Sequence, residues 1–214
     1  MRNLRINSVS VGIFFVLTIG FIILSYLVHI YPPSSLDLNI SHEVQKDHTL
    51  ALDHFTAFIS WFGHVSVAGA MTALVALLFF LFNYKREALF TILTLASGLI
   101  STVIKIMVNR PRPTKELVRI VEIAKQQSFP SGHTLFYTIF FGFLIIVMAN
   151  LKSVNHYIRV GVTVVSAAMI LLIPVCRIYL GAHWFTDVLG GLILGVLCLF
   201  VLGYFYLSDK WRTI

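Results

Sequence analysis

Six stretches of the chain run for about twenty residues with hardly a polar position among them: 9–30, 57–82, 87–108, 133–151, 157–176 and 184–207. A helix of about 20 residues spans a hydrocarbon core of roughly 30 Å. None of the stretches alternates apolar and polar residues as a barrel strand does, and lipid offers the backbone no hydrogen-bond partner, so each is predicted to be a helix. The predicted fold is all-α, a polytopic membrane protein with six transmembrane helices in one bundle. Composition agrees: 58% of the 214 residues are hydrophobic and 12% charged, and the mean hydropathy of +0.88 excludes an ordinary water-soluble domain.

Polar residues collect in the connections. The two long ones, 31–56 and 109–132, share a side with the short turn between the last two spans by parity of crossing. Within the second, "TKELVRIVEIAKQQ" places Leu117, Ile120, Val121 and Ala124 at helical spacing among charged neighbours, which predicts a short amphipathic helix over 114–127 at the membrane interface. Neither repeats nor low-complexity tracts interrupt the chain, and 1–214 reads as one domain. The first span follows Arg2 and Arg5 and lacks a small-residue cleavage pattern, so it is expected to be a retained signal anchor.

Eight cations fall on each side. Arg2, Arg5, Lys85, Arg86, Lys152, Arg159, Lys210 and Arg212 flank the compact connections and the termini, which points to cytoplasmic N- and C-termini. Lys46, Lys105, Arg110, Arg112, Lys115, Arg119, Lys125 and Arg177 lie opposite and need another explanation. The net charge of +7 suits anionic membrane lipids, and no nucleic-acid partner is expected. Cys176 and Cys198 are placed roughly 20 Å apart in depth by helical rise, which excludes a disulfide.

Three clusters meet on the side of the long connections: "KIMVNRPRP" with Lys105 and Arg112, "PSGH" from Pro130 to His133, and "CRIYLGAHWFTD" with Arg177, His183 and Asp187. Singly, each has an ordinary use, as snorkelling anchors, headgroup contacts, a helix cap or a structural hydrogen bond. Jointly they describe a phosphate site. The Ser131-Gly132-His133 turn offers free N–H groups to an anion, and Lys105, Arg112 and Arg177 neutralise its oxygens. His183 and Asp187, spaced i, i+4, pair as an oriented nucleophile, and His133 can protonate a leaving group from another helix. A metal site is the rival reading, but three fixed cations would repel a divalent ion while doing its work.

This constellation, Lys-x6-Arg-Pro, Pro-Ser-Gly-His and Arg-x5-His-x3-Asp, resembles the type 2 phosphatidic acid phosphatase, or lipid phosphate phosphatase, superfamily, which also includes vanadium-dependent haloperoxidases. The match spans Lys105 to Asp187. It implies a six-helix membrane fold, a phosphohistidine on His183 oriented by Asp187, protonation of the leaving group by His133, and phosphoryl binding by Lys105, Arg112, Ser131, Gly132 and Arg177. It implies no metal and no cofactor. Cys176 stands where the family usually has Ser, and activity is expected to survive this. The small bacterial members it looks most like imply a phosphorylated lipid substrate, phosphatidylglycerophosphate or alternatively undecaprenyl pyrophosphate, at the outer face of a bacterial cytoplasmic membrane.

Two alternatives of other classes remain: a non-catalytic lipid-phosphate binder or transporter, and a haloperoxidase-like oxidase. His64, inside span two, is a candidate interhelical hydrogen bond or functional group. Gly191 and Gly195 form a GxxxG pattern suited to packing within the bundle or to a weak homodimer in place of a monomer. His29, His42, His48, His54 and His156 receive no role, and Asn39-Ile40-Ser41 is a glycosylation sequon in form only.

Overall fold

The computed structural model describes residues 8–31 and 33–208. Arg2, Arg5, Lys210 and Arg212, which enter the expected orientation, lie outside the described residues. Nine helices occur among those described: α1 (Ser8–Ile30), α2 (Ser35–Gln45), α3 (Leu50–Trp61), α4 (Val65–Leu81), α5 (Lys85–Leu93), α6 (Ala96–Val108), α7 (Gly132–Asn150), α8 (His156–Tyr179) and α9 (Phe185–Leu207). Five spans are long and apolar enough to cross a membrane, α5 and α6 together forming one of them; α3 and α4, bent by 56° at a short break, make a sixth if taken as one. The fold is all-helical and multi-pass, as the apolar stretches predict.

α7 is the hub. It packs against α8, α9 and α6, burying Leu135, Tyr137, Phe140, Phe143 and Val147 almost completely. In lipid, apolar side chains gain little by moving from acyl chains into a bundle, so close packing decides which helices associate. The α7–α9 seam shows this. A Cβ on Gly191 would stand 2.8 Å from the Ser131 carbonyl oxygen, and one on Gly195 would stand 2.6 Å from Thr138 Cβ. The GxxxG pattern is therefore spent inside the bundle. Cys176 packs in an apolar cluster with Ile59, Tyr137 and Ile173, and both cysteines are free.

Two features differ from the sequence reading. Residues 114–127 do not form a helix: a single turn, closed by the Leu117 and Val118 N–H groups on Thr114 O, gives way to irregular chain. The segment finds better partners elsewhere. The N–H groups of Val121 and Glu122 both donate to Leu180 O, Gln45 bonds the backbone of Arg119 through both ends of its amide, and Arg119 pairs with Asp53. Helical periodicity here serves a strap laid across the ends of other helices. The second difference is α2, a helix inside the first long connection, begun by a capping box between Ser34 and Asp37.

Candidate active site

The C-terminal ends of α6 and α8 and the N-terminal ends of α7 and α9 converge at one end of the bundle. Asn109, left-handed with φ 47°, ends α6 and turns the chain away. Lys105, one turn earlier and 5% exposed, donates from Nζ to Gln127 O at 2.5 Å. Arg112 donates from Nη1 to Ala182 O at 2.6 Å and lies 3.2 Å from His183 Nε2; its Nε bonds Gln126 O. Burial, followed by the charge of Arg177, lowers the Arg112 pKa to about 10, which leaves it cationic at neutral pH.

Ser131 caps α7, its hydroxyl accepting from the Thr134 hydroxyl at 3.0 Å and from the Thr134 N–H. The Gly132 and His133 N–H groups, first in the helix, have no intrahelical carbonyl and sit at its positive end. Ser131 is itself held by its N–H on Asp187 O at 3.0 Å, which joins α7 to α9. The His133 ring rests against Gly63, in the break between α3 and α4, and stands edge-on to His64 at 5.7 Å between centroids. Its buried Nε2 has no hydrogen-bond partner among the described residues.

His183 is 2% exposed and lies just before α9, not on it, because the N-cap residue Trp184 is extended. The i, i+4 spacing of His183 and Asp187 is therefore not that of two residues on one helix face. Asp187, in the first turn, reaches back toward the cap: Oδ2 accepts the Trp184 N–H at 2.8 Å and the Ser128 hydroxyl, and stands 3.5 Å from His183 Nδ1. Burial first, then the charges of Arg112, Lys105 and Arg177, hold the His183 imidazole well below its ordinary pKa. Its ring is neutral at pH 7.

Behind Asp187 lies a buried network that the sequence reading did not anticipate. Arg110, 1% exposed, donates to Asp187 Oδ1 at 2.5 Å, to Asp37 Oδ2 at 2.6 Å and to Thr186 Oγ1 at 2.7 Å. Asp37 also accepts the Thr186 N–H at 2.9 Å. One guanidinium between two fully buried carboxylates ties α2 to the N-terminal end of α9. Such a group is expensive to bury, and removing the arginine would strand both carboxylates.

Arg177, closing α8, donates from Nη1 to Ser60 Oγ at 2.5 Å and to Glu122 Oε2 at 2.7 Å. Glu122 lies 3.8 Å from His64 Nε2. His64, Glu122 and His133 offer three ligand atoms within 4.8 Å of one another, a set that could hold a metal, but Arg177 already occupies the carboxylate and opposes a divalent cation there.

All eight predicted residues, Lys105, Arg112, Ser131, Gly132, His133, Arg177, His183 and Asp187, stand at this end. Sequence reasoning missed Asp37, Ser60, Gly63, Arg110, Glu122, Ser128 and Thr186. Of these, Arg110 carried a signal as the first arginine of "RPRP", and Asp37 as the fourth residue of the cap sequence "SSLD". Five of the eight cations on this side, Lys105, Arg110, Arg112, Arg119 and Arg177, are committed to partners on this face.

A neutral buried imidazole beside an arginine fork, a second imidazole on another helix and a capped helix N-terminus, all at the rim of a membrane bundle, define a membrane protein built to handle phosphate esters. Residues 87–211 match the family model described as PAP2 superfamily, and the chain belongs to that superfamily, whose phosphatases are hydrolases acting on phosphate esters. It is 26% identical over 186 residues to phosphatidylglycerophosphatase B of Bacillus subtilis, covering 85% of this chain and 88% of that one. It is 29% identical over 161 residues to lipid phosphate phosphatase delta of Arabidopsis thaliana, covering 70% of this chain. The match spans 34% of that plant protein's length. Among solved structures, a transmembrane PAP2-type phosphatidylglycerolphosphate phosphatase from Bacillus subtilis superposes with a TM-score of 0.77 at 23% identity, covering 90% of this chain and 94% of that one. Aquifex aeolicus LpxE superposes with a TM-score of 0.61 at 20% identity, covering 79% and 96%.

Proposed function

We propose that this protein is a metal-independent lipid phosphate phosphatase acting on phosphatidylglycerophosphate through a phosphohistidine on His183. The observation that carries the reading is the position of His183 Nε2, buried and 3.2 Å from Arg112 Nη1, so that a phosphoryl group drawn to the guanidinium arrives at this nitrogen. Nε2 attacks phosphorus, the N–P bond forms as the P–O ester bond breaks, and the departing oxygen takes a proton from His133. Neutral His133 then accepts a proton from water whose oxygen attacks phosphorus. The N–P bond breaks, releasing phosphate and restoring His183. Lys105, Arg112, Arg177 and the N–H groups of the Ser131-Gly132-His133 turn hold the charge that develops on the phosphoryl oxygens. Asp187 orients His183.

The choice of lipid leans on the name of the Bacillus relative. A second reading, undecaprenyl pyrophosphate, is favoured by the three cations, whose summed charge exceeds that of a phosphate monoester dianion. The protein is placed in a bacterial cytoplasmic membrane as one domain, monomeric or weakly dimeric. Its termini face the cytoplasm and its site the outer face, since Lys85, Arg86, Lys152 and Arg159 flank the compact connections opposite the site. Phosphate release in mixed micelles containing EDTA, from phosphatidylglycerophosphate, undecaprenyl pyrophosphate and phosphatidic acid, tests the reading. Turnover by the native protein and none by His183→Ala is expected. Lipid binding without turnover by the native protein would overturn it in favour of a binder, and recovery only on adding a divalent ion would overturn metal independence.

A further inference from the structure

One carboxylate at this end has no part in the mechanism above. Asp37 and Asp187 are consumed by Arg110, and Asp53 by Arg119 and Tyr179. Glu122 differs. Its N–H is fixed on Leu180 O at 3.1 Å, so its side chain stays at the site, and among the described residues the lysine or arginine paired with it is Arg177, at 2.7 Å. That cation is one the phosphoryl oxygens would claim. Its carboxylate also lies within 4.8 Å of the ring nitrogen that His133 turns toward it and His64. Since His133 must hand its proton to the departing oxygen, the leaving group lies in the space that Glu122 borders.

We propose that Glu122 is a specificity-determining residue that favours a leaving alcohol whose reacting end is an uncharged, hydroxyl-bearing glycerol and disfavours a leaving group whose reacting end is itself a phosphate. This rests on the phosphatase reading above. When a phosphoryl group takes Arg177, Glu122 loses its partner and faces the leaving group with an uncompensated negative charge. A glycerol headgroup can donate a hydroxyl hydrogen bond to that carboxylate. The lipid-linked phosphate that departs when the terminal phosphoryl group of a pyrophosphate passes to His183 offers acceptors and negative charge, and is repelled. His64, half-exposed and 3.8 Å away, borders the same space without a fixed charge to offset the carboxylate. Discrimination of this kind works by an unfavourable contact with the wrong substrate as much as by a favourable one with the right one.

The test compares kcat/KM for phosphatidylglycerophosphate and undecaprenyl pyrophosphate in mixed micelles, using the full chain and the variants Glu122→Gln and Glu122→Asp. Glu122→Gln should shift the ratio toward the pyrophosphate by about tenfold, the scale of one unit charge acting at this distance in a partly solvated site. Glu122→Asp, which keeps the charge, should restore a ratio near the native one. A ratio unchanged in Glu122→Gln, including the case in which both activities fall together, overturns the proposal, as does a shift of equal size in Glu122→Asp. Native protein that releases phosphate from neither lipid refutes the phosphatase reading itself, an outcome distinct from a native enzyme whose selectivity ignores Glu122.

Discussion

Replacing Gly63 with Ala should strike the proposed general acid from a distance, through one methyl group in a helix break. A Cβ built on Gly63 stands 2.2 Å from His133 Cδ2, 2.8 Å from Cγ and 3.0 Å from Nε2, where ordinary contact begins at 3.4 Å. The collision involves the body of the ring, so the imidazole must move by about 1 Å, a displacement of the size that costs roughly 100-fold when reacting groups are misplaced. With an alkyl phosphate such as phosphatidylglycerophosphate, kcat should fall by about that factor, because the alkoxide cannot leave unprotonated. With p-nitrophenyl phosphate, whose leaving group needs little protonation, the first step should survive. Rapid-mixing measurements should then show a burst of p-nitrophenol near one equivalent per enzyme followed by slow turnover, since releasing phosphate from His183 still requires His133 as base. Loss of the burst together with turnover, or an unchanged kcat on the alkyl phosphate, would refute this account of how Gly63 and His133 fit together.

Arg110→Met should strand Asp37 and Asp187 in a buried site and cost about 3–5 kcal/mol, read as a drop in the thermal midpoint of the detergent-solubilised protein. Gly195→Val should drive its side chain into Thr138 and cost about 1–3 kcal/mol of stability by overpacking, with no change in oligomeric state by size-exclusion chromatography with light scattering. The pH profile of kcat/KM should show no loss of the nucleophile as pH falls from 7.5 to about 6.5, the ordinary imidazole value, because burial and three cations keep His183 unprotonated. Arg112→Gln removes one of those cations, so the acidic limb should move to higher pH in that variant; a shift to lower pH would contradict the sign of this interaction.

The spans were legible because crossing a membrane is a demand on run length, and their ends fall within three residues of the apolar limits except at the second, where α3 begins at Leu50 and not near 57. The break at Gly63 was not, because apolar residues continue on both sides of it and the length of 57–82 fits one crossing. Periodicity misled at 114–127: Leu117, Ile120, Val121 and Ala124 are spaced for a helix, yet Val121 and Glu122 spend their N–H groups on Leu180. Composition cannot foresee an acceptor sixty residues away. That the histidines, the cations and the carboxylate of the motifs meet at one end could be read because parity of crossing brings their three segments to the same side. Ser60 and Gly63 could not, since they lie in α3 and the break after it and meet the site through contacts that only the fold creates; the cap sequence of Asp37 announces a helix start but not its ion pair with Arg110.

The polar groups of the site sit at helix ends and in the connection between α6 and α7, while the flanks of the bundle stay apolar down their length. For a lipid phosphate this means capture from the side: the substrate drifts along one leaflet and offers its headgroup to the rim while its tails remain among their neighbours. The quantity that governs encounter is then a mole fraction in two dimensions. Diluting the substrate with inert lipid at constant bulk concentration should slow turnover as much as withholding it, and the membrane surface, not the surrounding water, is the vessel in which the reaction runs.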